Sequence, residues 1–299
     1  MPLLRVNTSP KGLSLQGSAQ PVHGALAQAA ATQGPVVIMV HGYKYSPFVT
    51  KNCPHARIFS AKGWPTPLGV HQSDVQGIAF GWHARGGLRQ AYSNALERAR
   101  DLALLISSFR GRREVHLIAH SLGATLCLAA LPYLLAGDVG RIVLLSGAAH
   151  LGLAHHALNT PAGRKCQMFH VTSGENALFD HIFEHIVPDT GSIGRGLGCA
   201  HAIRVHIDCS RTLSTLAELG YPLGLPQRCV CHWSSYTRPG VMSLNAAILN
   251  GALPFEELRR AIPPKTNPQY MMNSLVSLPK KRIMAWYNKG KGPQHEHAY

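Results

Sequence analysis

Acidic residues are scarce in this chain. Across 299 residues there are 14 Asp and Glu against 29 Lys and Arg, which leaves a formal charge of +15 at neutral pH. A surplus of that size can draw in nucleic acid or anionic lipid, yet the basic residues are scattered, and only the stretch from Lys280 to Lys291 clusters them. A generally basic surface with no nucleic-acid partner is the expectation. The clustered stretch also carries Trp286 and Tyr287, so weak contact with a membrane surface is the partner reading it supports. Long apolar runs are missing as well. None reaches the ~18 consecutive residues that a bilayer span needs. The opening Met1-Pro2-Leu3-Leu4-Arg5-Val6 lacks the basic-then-apolar pattern of a secretory leader, so the expected location is cytoplasmic. Cysteines number seven, at 53, 127, 166, 199, 209, 229 and 231. An odd number at irregular spacing argues for free thiols rather than a disulfide framework. Cys229-Val230-Cys231-His232 matches no usual zinc spacing and has no second pair at the right distance, so neither a metal nor a cofactor is expected.

What is present is apolar and helix-forming. With 45% hydrophobic residues, the chain can bury a substantial core, and one large domain over 1–299 fits better than several small ones. Its centre is Val115 to Thr125, V-H-L-I-A-H-S-L-G-A-T. An apolar, β-branched run leads to a serine flanked by small residues, and a helix-forming apolar segment to Leu135 follows, as in a buried strand turning sharply into a helix. Such a turn holds a serine out over the sheet end in a strained backbone conformation. Small residues two before and two after it, here Ala119 and Gly123 around Ser121, let strand and helix pass closely.

Along the chain, Leu3–Val6 and Leu13–Gln16 flank a turn-rich spacer and read as an edge hairpin; with the Ala-rich 20–32 they form an N-terminal arm over 1–34. Val36–Val40 is an uninterrupted apolar run ending at His41-Gly42-Tyr43, hence a central strand. Residues 44–76 hold four Pro and little periodicity and read as a long irregular connection. Val75–Trp82 is strand-like. Leu88, Tyr92, Ala95, Ala99, Leu102, Ile106 and Phe109 recur at helical steps and form one apolar stripe. Arg141–Leu145, Gln167–Thr172 and Ile203–Ile207 read as further strands, 180–187 as a short helix, and about 280–299 as a basic C-terminal extension.

The runs A-H-S-L-G at 119–123, V-V-I-M-V-H-G-Y at 36–43 and H-W-S-S-Y at 232–236 together resemble the α/β-hydrolase superfamily, most of all its bacterial serine-hydrolase members of unassigned substrate. The likeness spans about 36–250. It implies a mostly parallel sheet with helices on both faces, and the short interval between the strands at 145 and 167 implies no large cap domain. It also implies a nucleophile at Ser121 and a base late in the chain, which order assigns to His232. Between them belongs an acid, for which Asp180 is favoured, Glu175 is the alternative and Asp208 a weaker third. The Asn-Asp pair common in relatives would register on Asn176-Ala177, leaving Ala177 where a carboxylate is expected. The amides of Tyr43 and Leu122 take the oxyanion-hole role, the Tyr43 side chain forming a wall, while His41, Gly42 and His120 support the strand ends. The implied activity is a serine hydrolase acting on a small-molecule carboxylic ester. Thioesterase, lipase or peptidase chemistry on the same parts, or a non-catalytic binding protein of hydrolase-like form, are the alternatives. A base of ordinary pKa would make hydrolysis rise through about pH 6 to 7. Oligomeric state is not legible.

Overall fold

The computed structural model describes residues 3–70, 74–197 and 201–262. The chain divides after residue 264, and the described residues belong to the first unit. The basic extension at 280–299, with the membrane-surface contact expected of it, lies outside the described residues.

Eight strands form one sheet: β1 Leu4–Ser9, β2 Gly12–Leu15, β3 Val36–Val40, β4 Gln76–Gly81, β5 Val115–His120, β6 Arg141–Leu145, β7 Gln167–Thr172 and β8 Ala202–His206. Their spatial order is β2-β1-β4-β3-β5-β6-β7-β8. All neighbours are parallel except the hairpin β1–β2 at the edge. The helices are α1 Val22–Ala30, α2 Leu88–Ser107, α3 Gly123–Ala130, α4 Leu151–Leu158, α5 Pro161–Lys165, α6 Ala177–Ile186, α7 Ser210–Glu218, α8 Ser234–Thr237, α9 Val241–Asn250 and α10 Phe255–Ala261. This is an α/β-hydrolase fold, as the sequence leads one to expect, with α4 and α5 the only elements between β6 and β7.

The central strands are buried at every position, because a parallel sheet covered on both faces leaves no residue for solvent and so selects continuous apolar runs. On one face Val37, Met39, Ile118, Val143 and Val171 meet α9 and α10. The same cluster takes in Ile58, Phe59, Trp64, Leu68 and Val70, so the connection over its described residues 44–70 is not a loose loop but a packed part of the core. Its apolar residues have no period because they are drawn into that core singly, from the irregular segment that follows the 3-10 turns at Thr50–Asn52 and Pro54–Ala56. The order in which strands are added reverses around β3, with β4 on one side and β5 on the other. Where successive connections diverge in this way, a crevice opens beyond the carboxyl ends of the strands, and His41–Tyr43 and His120–Leu122 both occupy that position.

Candidate active site

Ser121 has φ +52°, in the left-handed region that β-carbon-bearing residues avoid. Three backbone bonds hold it there. Its amide donates to the Leu145 carbonyl at 3.1 Å, and its own carbonyl accepts from the amides of Ala124 and Ala148, each at 2.9 Å. The neighbouring strand end leaves no room for relaxation. A Cβ on Gly42 would stand 2.7 Å from both the His120 carbonyl oxygen and Ser121 Cβ, and one on Gly123 would stand 2.8 Å from the His41 carbonyl oxygen. Both glycines are therefore demanded by close approach of β3, β5 and α3. Ser121 itself is 4% exposed.

His41 is fully buried and braces the end of β3. The Trp82 amide donates to its Nε2 at 3.1 Å, so Nδ1 carries the hydrogen, which goes to the Gly42 carbonyl at 3.0 Å. The Trp82 indole stacks on the ring and donates to the His41 carbonyl. Burial pushes the imidazole down to about 3, so it is a neutral support. The Tyr43 hydroxyl donates to the Gly86 carbonyl at 2.7 Å, which ties the strand-end turn to the segment before α2.

His232 lies between α7 and α8, in the loop leading into α8, and its ring packs on that of His120, the residue before Ser121. Its centroid is 4.5 Å from that of His120, and on its other side Phe179 stacks at 4.5 Å. His120 Nε2–H donates to the His232 carbonyl at 3.0 Å, so the residue beside the serine holds the backbone of the histidine loop. The His120 ring is itself edge-on to Tyr236, which meets Trp64 of the packed 44–70 segment. Burial, then the neighbouring His120, hold the His232 imidazole well below its ordinary 6.5, and burial holds His120 at about 4. Both rings are neutral at pH 7. An expected rise in activity through pH 6 to 7 is thereby moved to lower pH.

None of the three carboxylates weighed for orienting His232, Asp180, Glu175 and Asp208, is hydrogen-bonded to it. That contact belongs to Asn176, whose Oδ1 is 2.6 Å from His232 Nδ1. Glu175 points instead into a buried ion pair, 2.5 Å from Arg238, which also reaches Asp208 at 2.6 Å. The Glu175 carbonyl accepts from the Cys231 amide, and its Oε1 from the Arg228 amide. Glu175 thus clamps the histidine loop to the turn after β7, and the buried hydroxyl pair Ser146–Ser235 at 2.9 Å ties α8 to the turn after β6. Asp180 is buried in the first turn of α6, where it interacts with the Asn176 amide and the Ser192 hydroxyl; burial raises it to about 7. A search for carboxylates passes over Asn176, although an amide oxygen accepts an imidazole N–H just as a carboxylate does. Its signal is its position, four residues beyond the end of β7.

Cys229 is exposed and Cys231 buried, and the neighbouring His232 already has Nδ1 committed to Asn176. Among the described residues no three His, Cys, Asp or Glu side chains converge to hold a metal ion, and no helix is long and apolar enough to cross a membrane.

No protein-family description and no curated protein matches the sequence. Among solved structures, a lipase-esterase related protein from Clostridium acetobutylicum ATCC 824 is 11% identical, with a TM-score of 0.35 over 63% of this chain and 94% of that one. A metagenomic carboxyl esterase is 15% identical, with a TM-score of 0.34 over 75% and 77%. Phospholipase PlaB from Legionella pneumophila is 16% identical, with a TM-score of 0.32 over 50% of this chain and 39% of that one. Likenesses this distant carry no inference about activity; the fold is identified by its own strand order and strained turn.

Proposed function

We propose that the protein is a serine hydrolase acting on carboxylic esters, with Ser121 as nucleophile and His232 as base. The observation that carries the reading is a serine fixed at φ +52° between β5 and α3, preceded by His120, whose ring packs at 4.5 Å on a neutral His232 with its Nδ1 engaged by Asn176. With Nδ1–H donated to the Asn176 oxygen, the lone pair of His232 is on Nε2, the nitrogen that must take the serine proton. As Oγ bonds to the ester carbonyl carbon, that proton passes to Nε2, and negative charge gathers on the former carbonyl oxygen. The amides of Tyr43 and Leu122 are the donors for that oxygen. Collapse expels the alcohol, which takes the proton from His232. Water, deprotonated by the same nitrogen, then releases the acid and frees Ser121.

An amide in the third position carries no charge to balance the imidazolium formed in the transition state. The same chemistry is therefore expected at a lower rate than with a carboxylate in contact. That missing charge also favours a second reading, a hydrolase-like protein that binds without turnover. A fluorophosphonate probe decides between them, because rapid phosphonylation requires a base-activated nucleophile. Intact-protein mass should show one adduct on the native chain and none on Ser121→Ala. No adduct on the native chain would favour the binding reading. Thioesters, peptides and long-chain lipids compared with short p-nitrophenyl esters set the substrate class.

A further inference from the structure

Asn176 carries no charge, so the direction of its amide decides the tautomer of His232. With Oδ1 toward the ring, Nδ1 holds the hydrogen and Nε2 can accept a proton; with Nδ2 toward it, Nδ1 must accept and Nε2 is blocked. Asn176 by itself has little preference. Its neighbour does. Asp180 follows four residues later, in the first turn of α6, with its carboxyl buried and interacting with the Asn176 amide and the Ser192 hydroxyl, the latter at 3.3 Å from Oδ1. The carboxyl is boxed in, since a Cβ on Gly194 would collide with both of its oxygens. An ionised carboxylate only accepts, so it draws the Nδ2 hydrogens to itself and leaves Oδ1 to His232.

We infer that Asp180 is a positioning residue whose carboxylate, acting through the amide of Asn176, selects the tautomer of His232. The inference rests on the reading of Ser121 and His232 as nucleophile and base. A carboxylate thus serves this site from one residue away.

The other charged groups facing Asp180 are Glu184 on α6, Arg204 on β8 and Arg195, which is itself paired with Glu184 at 2.5 Å. Glu184 raises the carboxyl and Arg204 lowers it, but burial dominates and brings it to about 7. Below that pH a protonated Asp180 can donate as well as accept, and its hold on the amide weakens. Activity should accordingly show a step upward with pH near 7, separate from the lower step that His232 contributes.

The test is the ring 15N spectrum of His232 in histidine-labelled protein at pH 8, assigned by difference from His232→Gln, read together with kcat. The native spectrum should show a protonated Nδ1 and a bare Nε2. Asp180→Asn should mix or reverse the two and lower kcat by about tenfold to 10⁴-fold with KM little changed, because the wrong tautomer cannot accept the serine proton. The step near pH 7 should vanish. The swapped variant Asn176→Asp/Asp180→Asn sets a carboxylate directly against Nδ1 and should restore the native tautomer, with kcat at or above the native value; a merely structural Asp180 predicts instead that Asp180→Asn loses kcat while keeping the native spectrum, a result that overturns the proposal. An Asp180→Asn protein with the native spectrum and native kcat overturns the proposal. So does a swapped variant that folds without regaining the native tautomer. Hydrolysis that persists in Ser121→Ala would instead overturn the functional reading, while the spectrum still judges Asp180.

Discussion

Acid should unfold this protein early. His41, His55, His116, His120 and His170 are all buried, at 6% exposure or less, and desolvation pushes each down to about 3 or 4. The unfolded chain returns them to ~6.5. Because the folded pKa values are depressed, the folded state binds fewer protons than the unfolded state between about pH 4 and 6.5. Stability is full above 6.5 and is lost as pH falls. Each histidine costs ~1.4 kcal/mol per pH unit below 6.5, hence ~2 kcal/mol at pH 5, and five cost ~10 kcal/mol as an upper bound. Asp180 acts oppositely. Raised to about 7, it disfavours the folded state at neutral pH and returns ~3 kcal/mol by pH 5. The net loss of ~7 kcal/mol is comparable to the whole stability of a typical domain, ~5–15 kcal/mol. Urea unfolding followed by tryptophan fluorescence, with Trp64 and Trp82 buried as reporters, should give a midpoint that is flat above pH 7 and drops steeply from 6.5 to 5. A midpoint that stays constant from pH 7 to 5 would refute the argument, because it would mean that these rings protonate in place.

Asn176→Asp should raise kcat for p-nitrophenyl acetate by about tenfold or more, since it sets a carboxylate against His232 Nδ1–H; the gain stays below the full ~10⁴ of a triad carboxylate because Asp180 and the new carboxyl must share a proton. A fall in kcat would contradict the role given to that contact. Glu175→Gln leaves Arg238 with Asp208 as its remaining carboxylate partner and should cost ~3 kcal/mol, at the low end for a broken buried pair, read as a lower urea midpoint. An unchanged midpoint would remove the clamp argument. Gly42→Ala forces β3 and the elbow apart and should abolish fluorophosphonate labelling of Ser121, while costing ~1–3 kcal/mol of stability; normal labelling would contradict the close approach. Chelators should leave ester hydrolysis unchanged, and short acyl chains should be cleaved at least as well as long ones. Loss of rate with chelator, or activity confined to long chains at an interface, would require a metal or a lid.

Local chemistry made the frame of this protein legible without coordinates. Apolar runs at 36–40 and 115–120 can only be strands covered on both faces, and small residues at 119 and 123 around Ser121 mark a turn where strand and helix nearly touch. Each of those features is contained in a few consecutive residues, so the sequence carries it whole. Two features were decided only by packing. The apolar residues of 44–76 have no period, and nothing local says that Phe59 and Trp64 belong to the core rather than to a surface loop. The partner of His232 is the other. Asn176, Glu175 and Asp180 lie within five residues of one another, and which of them meets the imidazole depends on contacts from far along the chain: Arg238 draws Glu175 away, while Ser192 and Gly194 enclose Asp180 beside Asn176. Sequence order brings three candidates to one turn, but only the tertiary contacts can orient them, because each must satisfy its hydrogen-bonding groups in a volume set by residues 12 to 63 positions away.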